Sequence, residues 1–566
     1  MEATSRLDAG AALLPAPQLL SLTNEALVAC GELSAALRSA LAQEVQLRGG
    51  WGNDATIELQ AQAHGYAWFA SYVRALQDLH AWGSRLHARG ELRECEALIL
   101  QGGFGEYAAQ LGAGLALSQG EVFRPQMLAG CEAASARFQI SPAIAWLARA
   151  GFAPAVRRRL AAVVADATAS HRFGNPGHED PALLQIGAQF SRYADAHAAR
   201  AHEWHLANRL IPDEVIRQLA ELGVFGLSVP EAYGGTAMDK VAVCVVTEQL
   251  SRGHIALGSL GTRSEIAAEL IRCAGTDAQK ARLLPGIAAG TLIPTAAFTE
   301  PDVGSDLSAI KTRAVRDGEL YRIHGSKTWM THGVRSDLMT LLARTDPAQP
   351  GYRGLSMFLV EKPRGSDANP FPAAGMSGSE IAVLGYRGMK EYEVAFDGYE
   401  VPASALLGGV EGHGFKQLMQ TFESARIQTA ARAVGVAQSA LEAGMAYAVQ
   451  RRQFGRALIE FPRVGDKLAW MVVETMIARQ LTLSAARQKD AGQRCDIEAG
   501  MAKLLAARVA WSNADNAVQV HGGNGYALEY PVSRLLCDAR VLSIFEGAAE
   551  IQAQVIVRGL LGKDCA

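Results

Sequence analysis

The stretch Ser543-Ile544-Phe545-Glu546-Gly547-Ala548-Ala549-Glu550-Ile551-Gln552 decides how this chain is read. A lone carboxylate, Glu546, stands between an aliphatic-aromatic step and a glycine, after a long run of helix-forming sequence. Gly547 lets the backbone approach a ligand closely. Burial raises a carboxylate's pKa and makes it a better proton acceptor near neutral pH. Alone, the string also suits a helix C-terminus, so its meaning depends on what lies upstream.

At 566 residues the chain exceeds what one core usually holds, and about two to four domains are expected. With 49% hydrophobic and 20% charged residues it reads as globular, and a net charge of −3 gives no reason to expect nucleic acid as a partner. No apolar run is long enough to span a bilayer, and the N-terminus lacks a basic-then-apolar secretory pattern. The eight cysteines include no CxxC pair, so no metal site or redox dithiol is expected. They fit reduced thiols in a cytoplasm, with Cys565 expected as an exposed thiol.

Residues 1–175 read as a helical extension. Trp68, Tyr72, Leu76 and Leu79 recur at helical spacing, and Ser141-Pro142 resembles a helix start. Arg157-Arg158-Arg159 reads as a solvated helix face, and His171 to His178 as a turn-rich linker. The extension carries no chemical motif and is expected to pack on the rest of the subunit. Residues 176–295 read as an α-domain, 296–404 as a β-domain and 405–566 as a helical bundle.

Four further segments carry chemistry. In Phe298-Thr299-Glu300-Pro301-Asp302-Val303-Gly304-Ser305-Asp306-Leu307, Gly304 permits close approach while Thr299 and Ser305 supply donors. Leu320 to Ile323 alternates, turns at His324-Gly325 and resumes at Lys327 to Thr331, which reads as a hairpin bearing Trp329 and Thr331. Phe415, Leu418, Met419 and Phe422 begin a long amphipathic helix that continues to Gln450 and ends in Arg451-Arg452-Gln453-Phe454-Gly455. Gln519-Val520-His521-Gly522-Gly523-Asn524-Gly525-Tyr526 is glycine-rich.

Taken in order with the Glu546 stretch, these segments resemble the acyl-CoA dehydrogenase family over about residues 180–566. The resemblance implies a mainly α fold with a central β-barrel-like domain and a C-terminal four-helix bundle, here with an N-terminal helical extension. It implies FAD as cofactor, held by Phe298, Thr299, Gly304, Ser305, Trp329 and Thr331. Arg451, Gln453, Phe454, Gln519, Gly522, Gly523 and Glu550 would reach the FAD, those of the Arg451 and Gln519 segments from a neighbouring subunit of a homo-oligomer, dimer or tetramer. His521 is expected to pack. Glu546 would take the α-proton of an acyl-CoA while the β-hydride goes to flavin N5, and electrons would pass to an electron-transfer flavoprotein. Some members carry the base on the long helix, a position aligning near Ala425, which cannot act as one. Many have Thr where this chain has Ala548.

The helix lining the family's acyl cavity matches Ser259 to Ile266, and here it holds Arg263 between Thr262 and Ser264. An Arg in an apolar cavity needs an anion. Either Arg263, with Thr262 or Ser264, binds a carboxylate at the far end of the acyl group, or it turns outward to Glu265 or Glu269. Ser305, Arg426 and Gly547 complete the implied substrate contacts. The extension and Arg263 narrow the expectation to a short branched thioester, (2S)-methylsuccinyl-CoA giving mesaconyl-CoA. The alternatives are another short or branched acyl-CoA, or a non-catalytic member; an oxidase or a flavin monooxygenase on the same fold is less expected.

Overall fold

Leu19, Leu22, Ala26, Leu33, Leu37 and Leu41 recur along α1 (Ala16–Leu47) and are buried in the computed structural model, which describes residues 13–51, 54–117, 120–167 and 173–562. The same periodicity builds α2 (Gln60–Ala88), which buries Trp68, Tyr72, Leu76 and Leu79. Then follow α3 (Glu94–Ala113), a ribbon of β1 (Leu115–Ala116) and β2 (Val122–Phe123), α4 (Glu132–Ile140), α5 (Pro142–Trp146) and α6 (Pro154–Asp166). Ser141 stands at the N-cap of α5, with no capping bond from its side chain. In the basic run, Arg159 pairs with Glu94 and Arg157 with Asp466. Cys565 and the first two linker residues, His171 and Arg172, lie outside the described residues.

The chain divides into two units, Met1–Leu184 with Val436–Ala566, and Gln185–Gly435. The second holds most of α7 (Pro181–Leu206), then α8 (Asp213–Glu221), α9 (Lys240–Gly253), α10 (Ile255–Ala274) and α11 (Asp277–Ala288). Pro212 precedes α8 and Gly223 closes it in the left-handed region, φ +75°. A seven-stranded sheet follows: β3 (Pro294–Ala297), β4 (Arg313–Asp317), β5 (Leu320–Lys327), β6 (Leu338–Arg344), β7 (Leu355–Glu361), β8 (Met376–Ile381) and β9 (Glu391–Pro402). β6 pairs parallel with β3 and β4 and antiparallel with β7, and from β4 the sheet continues through β5, β9 and β8 as antiparallel pairs.

The hairpin expected at His324-Gly325 is not there. β5 runs through both residues with a bulge against β9 between Ile323 and His324, and the turn lies earlier, at Gly318. Gly325 marks a close approach instead, since a Cβ there would lie 2.8 Å from the Thr312 backbone. The long helix is also broken, into α12 (Gly414–Met419) and α13 (Phe422–Gln450). The Thr421 hydroxyl donates to the Leu418 carbonyl at 2.8 Å and closes the first piece.

α13 ends in the first unit, where α14 (Pro462–Asp490), α15 (Asp496–His521), α16 (Pro531–Val541) and α17 (Ala549–Leu561) follow. There α2 packs on α14 and α17. Buried polar groups join the extension to the bundle: Ser484 Oγ donates to Asp78, and Arg508 and Tyr107 converge on Glu474. The turn-rich segment is likewise tied down. Trp82 donates to the Asn175 carbonyl at 3.0 Å, and Gln480 to that of Pro176 at 2.9 Å.

Candidate active site

In the first unit, α16 ends at Val541, whose carbonyl accepts from Ile544 and Phe545 N–H. The chain then enters the left-handed region twice in succession, at Glu546 (φ +52°) and Gly547 (φ +92°), before α17 begins. A non-glycine residue there is strained, and such strain persists where surroundings over-determine it. The surroundings here are two buried side chains. Lys503 on α15 donates from Nζ to the Gly547 carbonyl at 2.6 Å. Gln552 on α17 donates from Nε2 to the carbonyls of Glu546 at 3.2 Å and Gly547 at 3.3 Å. Glu546 itself is half-buried, with its Oε1 buried, beside an exposed Ile544. Glu550 is exposed in the first turn of α17.

A Cβ on Gly547 would lie 2.1 Å from Gln552 Nε2. Gly547→Ala is therefore expected to cost about 1–3 kcal/mol of stability from the φ alone, read as a lowered Tm; an unchanged Tm would mean the loop is not held this way.

In the second unit, the Thr299–Ser305 loop is braced from beneath. Glu300 accepts from the Lys311 and Thr312 N–H groups at 2.8 Å each and from Lys327 Nζ at 2.9 Å. Lys327 is fully buried and also donates to the Phe298 carbonyl. Burial alone would push the Glu300 carboxyl up, but the Lys327 charge and the Thr312 and Lys311 donors outweigh it and leave it below the usual range. Phe298 and Thr299 are half-buried, while Gly304 and Ser305 are exposed. Lys327→Met strands a buried carboxylate and is expected to cost about 3 kcal/mol, lowering both Tm and the flavin retained on purification; full retention with an unchanged Tm would contradict the brace.

Trp329 is 54% exposed with φ +58°, so its ring stands out of the core as a platform. Thr331 donates its hydroxyl to Glu391, 2.9 Å and 3.2 Å from the two carboxyl oxygens. Burial pushes Glu391 up to about 8, against the opposing pull of the Arg263 charge and the Thr331 bond. Burial, then the charges of Arg335, Arg263 and Lys362, push His332 down to about 3, and its Nε2 lies 2.9 Å from the Pro294 carbonyl. Arg263 therefore acts on Glu391 and His332. Of the two acids in the outward alternative, Glu265 pairs with Lys240, and Glu269 lies 3.6 Å from Lys240 and 3.9 Å from Arg272. Thr262 and Ser264 are buried, and the Thr262 hydroxyl donates to the Gly258 carbonyl at 3.0 Å. Arg426 lies over the Phe422 ring, and Ala425 is buried beside it.

The Arg451–Arg456 segment is an exposed two-strand ribbon with Phe454, 92% exposed, at its tip. Gln453 and Arg451 are exposed with it, as are Gln519, Gly522 and Gly523 at the end of α15. His521 packs, stacked on Tyr447 with ring centres 4.1 Å apart. Beside Gly304, Gly522 and Gly523 a Cβ would meet nothing within 4 Å. In the second unit an open backbone, the exposed Ser305 hydroxyl and the exposed Trp329 plane, and in the first unit the exposed Arg451 cation and open glycines, are groups a flavin dinucleotide needs, so these residues fit the cofactor.

Sequence reasoning missed Lys503, Gln552, Glu391 and Lys327. Lys503 had a signal: it is the lone charge in Ala499 to Ala507, a helix stretch otherwise apolar all round.

Three domain families match in order: the acyl-CoA dehydrogenase N-terminal domain over residues 181–291, the middle domain over 295–399 and the C-terminal domain over 412–561. The chain is 58% identical to (2S)-methylsuccinyl-CoA dehydrogenase of Cereibacter sphaeroides over 544 residues, 96% of this chain and 98% of that one. A match of that length takes in most of the extension. A chain from a structure of the electron transferring flavoprotein of Acidaminococcus fermentans superposes with a TM-score of 0.64 at 32% identity, covering 68% of this chain and 98% of that one. Glutaryl-CoA dehydrogenase from Mycobacterium smegmatis in complex with FADH2 gives 0.62 at 28% identity, covering 68% and 96%. The resemblance read from short motifs thus extends over complete domains, and the chain belongs to the acyl-CoA dehydrogenase family, whose members use FAD.

Proposed function

We propose that this chain desaturates (2S)-methylsuccinyl-CoA to mesaconyl-CoA, with Glu546 as the base. The observation that carries the substrate is 58% identity across 96% of the chain, extension included. Residues 1–175 are then an extension serving the bundle, and the α-domain, β-domain and bundle (176–295, 296–404 and 405–566) carry the chemistry. FAD, when bound, supplies the acceptor for the β-hydrogen and its electron pair. Phe298, Thr299, Gly304, Ser305, Trp329 and Thr331 would hold it, with Arg451, Gln453, Phe454, Gln519, Gly522, Gly523 and Glu550 in a homo-oligomer that shares its sites.

Glu546 takes the α-proton onto its carboxylate as the α,β double bond forms. Its backbone N–H stabilises charge growing on the thioester oxygen, where a fixed donor is most effective. Arg263 binds the distal carboxylate, helped by Thr262 or Ser264, and Ser305, Arg426 and Gly547 complete the substrate contacts. The electrons then leave to an electron-transfer flavoprotein. Among the described residues no helix is long and apolar enough to cross a membrane, and a cytoplasmic site of action completes the reading.

Incubation with (2S)-methylsuccinyl-CoA and an electron acceptor should yield a thioester lighter by two hydrogens with the mass and retention of mesaconyl-CoA. A hydrated product, or none, would exclude the reading.

The pH dependence follows from Glu391. Burial raises its pKa to about 8, so it gains a charge beside Arg263 as pH passes that value. Above it, the new anion competes for Arg263. KM for methylsuccinyl-CoA should rise as pH passes about 8, and Glu391→Gln should flatten the rise; an identical profile in the variant would assign the effect to another group.

A further inference from the structure

We infer that Lys503 and Gln552 are positioning residues for the proton transfer: they fix the two consecutive carbonyls at Glu546 and Gly547, and through them the direction of the Glu546 side chain. The inference rests on reading Glu546 as the base.

Peptide units are planar, so holding a carbonyl oxygen fixes the orientation of the whole unit. The Glu546 carbonyl belongs to the unit that leaves Glu546, and the Gly547 carbonyl to the next. Gln552 Nε2 reaches both, and Lys503 Nζ takes the second at 2.6 Å. Both side chains are buried, at 1% exposure or less, so water does not compete for their donors. The two positive φ angles make the loop a conformation that would relax if released.

The grip is also built from glycine. The space Gln552 Nε2 occupies is the space a Cβ on residue 547 would need. The gripping residues are themselves held. Lys503 sits where Gly500, Ala502, Leu504, Leu505 and Ala506 are all buried, so its ammonium has a desolvation cost that hydrogen bonding must offset. Gln552 stands one turn into α17, which packs on α15 and on α2 of the extension. The extension therefore backs the helix that grips the catalytic loop.

The test compares Lys503→Met, Lys503→Arg and the near-isosteric Gln552→Met in the full-length flavoprotein, with Glu546→Gln as reference. For each, bound flavin, Tm, kcat and KM for methylsuccinyl-CoA are measured. Lys503→Met is expected to lower kcat about 100-fold, the scale of an ångström's misplacement, with KM and flavin content nearly unchanged. Lys503→Arg keeps a donor and should recover most of the rate. If Lys503→Met does not fold, Gln552→Met carries the same expectation in direction. Wild-type kcat in these variants beside an inactive Glu546→Gln would overturn the inference alone. Rate losses that follow flavin loss in every variant, Lys503→Arg included, would also overturn it. An active Glu546→Gln would remove the reading beneath it as well.

Discussion

Glu546→Gln should bind FAD normally and yet turn over methylsuccinyl-CoA about 10³ to 10⁴ times more slowly, the upper range of what one general base contributes. The substitution keeps the size of the side chain and the backbone, and with them the Lys503 and Gln552 bonds to the loop carbonyls. It removes only the group that accepts the proton. At the alternative position of the family's base, near Ala425, the side chain is buried and has nothing to accept with. Stopped-flow reduction of the flavin by substrate measures the step directly. A variant reduced at the wild-type rate would mean another group takes the proton, and would favour a flavin enzyme of different chemistry. A wild-type protein that is never reduced by a thioester would favour a non-catalytic member of the family.

Arg263→Met should raise KM for methylsuccinyl-CoA by about 30- to 150-fold and leave butyryl-CoA almost unaffected. That range corresponds to about 2–3 kcal/mol, the worth of a hydrogen bond between charged groups away from water. The direction follows from where the Arg263 charge acts. It falls on Glu391 and His332. Initial rates with the two thioesters decide the matter. An equal rise for both would remove Arg263 from carboxylate recognition and leave it a packing role.

The segments legible in the sequence were those where a glycine or a single charge must sit in one place for chemistry. The Glu546-Gly547 pair and the open glycines Gly304, Gly522 and Gly523 are of this kind, because a left-handed backbone or open space around a glycine is a local property. The failures have the opposite character. Gly325 resembles a turn residue, yet it sits inside β5 because Thr312 approaches from a neighbouring segment, and nothing near it in sequence says so. At the break, the Thr421 hydroxyl and N–H both donate to the Leu418 carbonyl and close α12, against a periodicity that continues through it. Lys503 and Gln552 lie 44 and 5 residues from Gly547, the carbonyl they share, so their role appears only when α15 and α17 pack together. Arg263 was ambiguous for a related reason: one residue of helix register separates its two readings, and that register depends on how α10 packs on α9, α11 and β3.

The most direct measurement is anaerobic. The purified flavoprotein is mixed in turn with (2S)-methylsuccinyl-CoA, butyryl-CoA and isobutyryl-CoA, and the visible flavin absorbance is followed. Rapid bleaching by methylsuccinyl-CoA, with slow or no bleaching by the two neutral thioesters, is the result predicted. Bleaching by a neutral thioester and none by methylsuccinyl-CoA would contradict the proposed substrate and leave only the family chemistry standing.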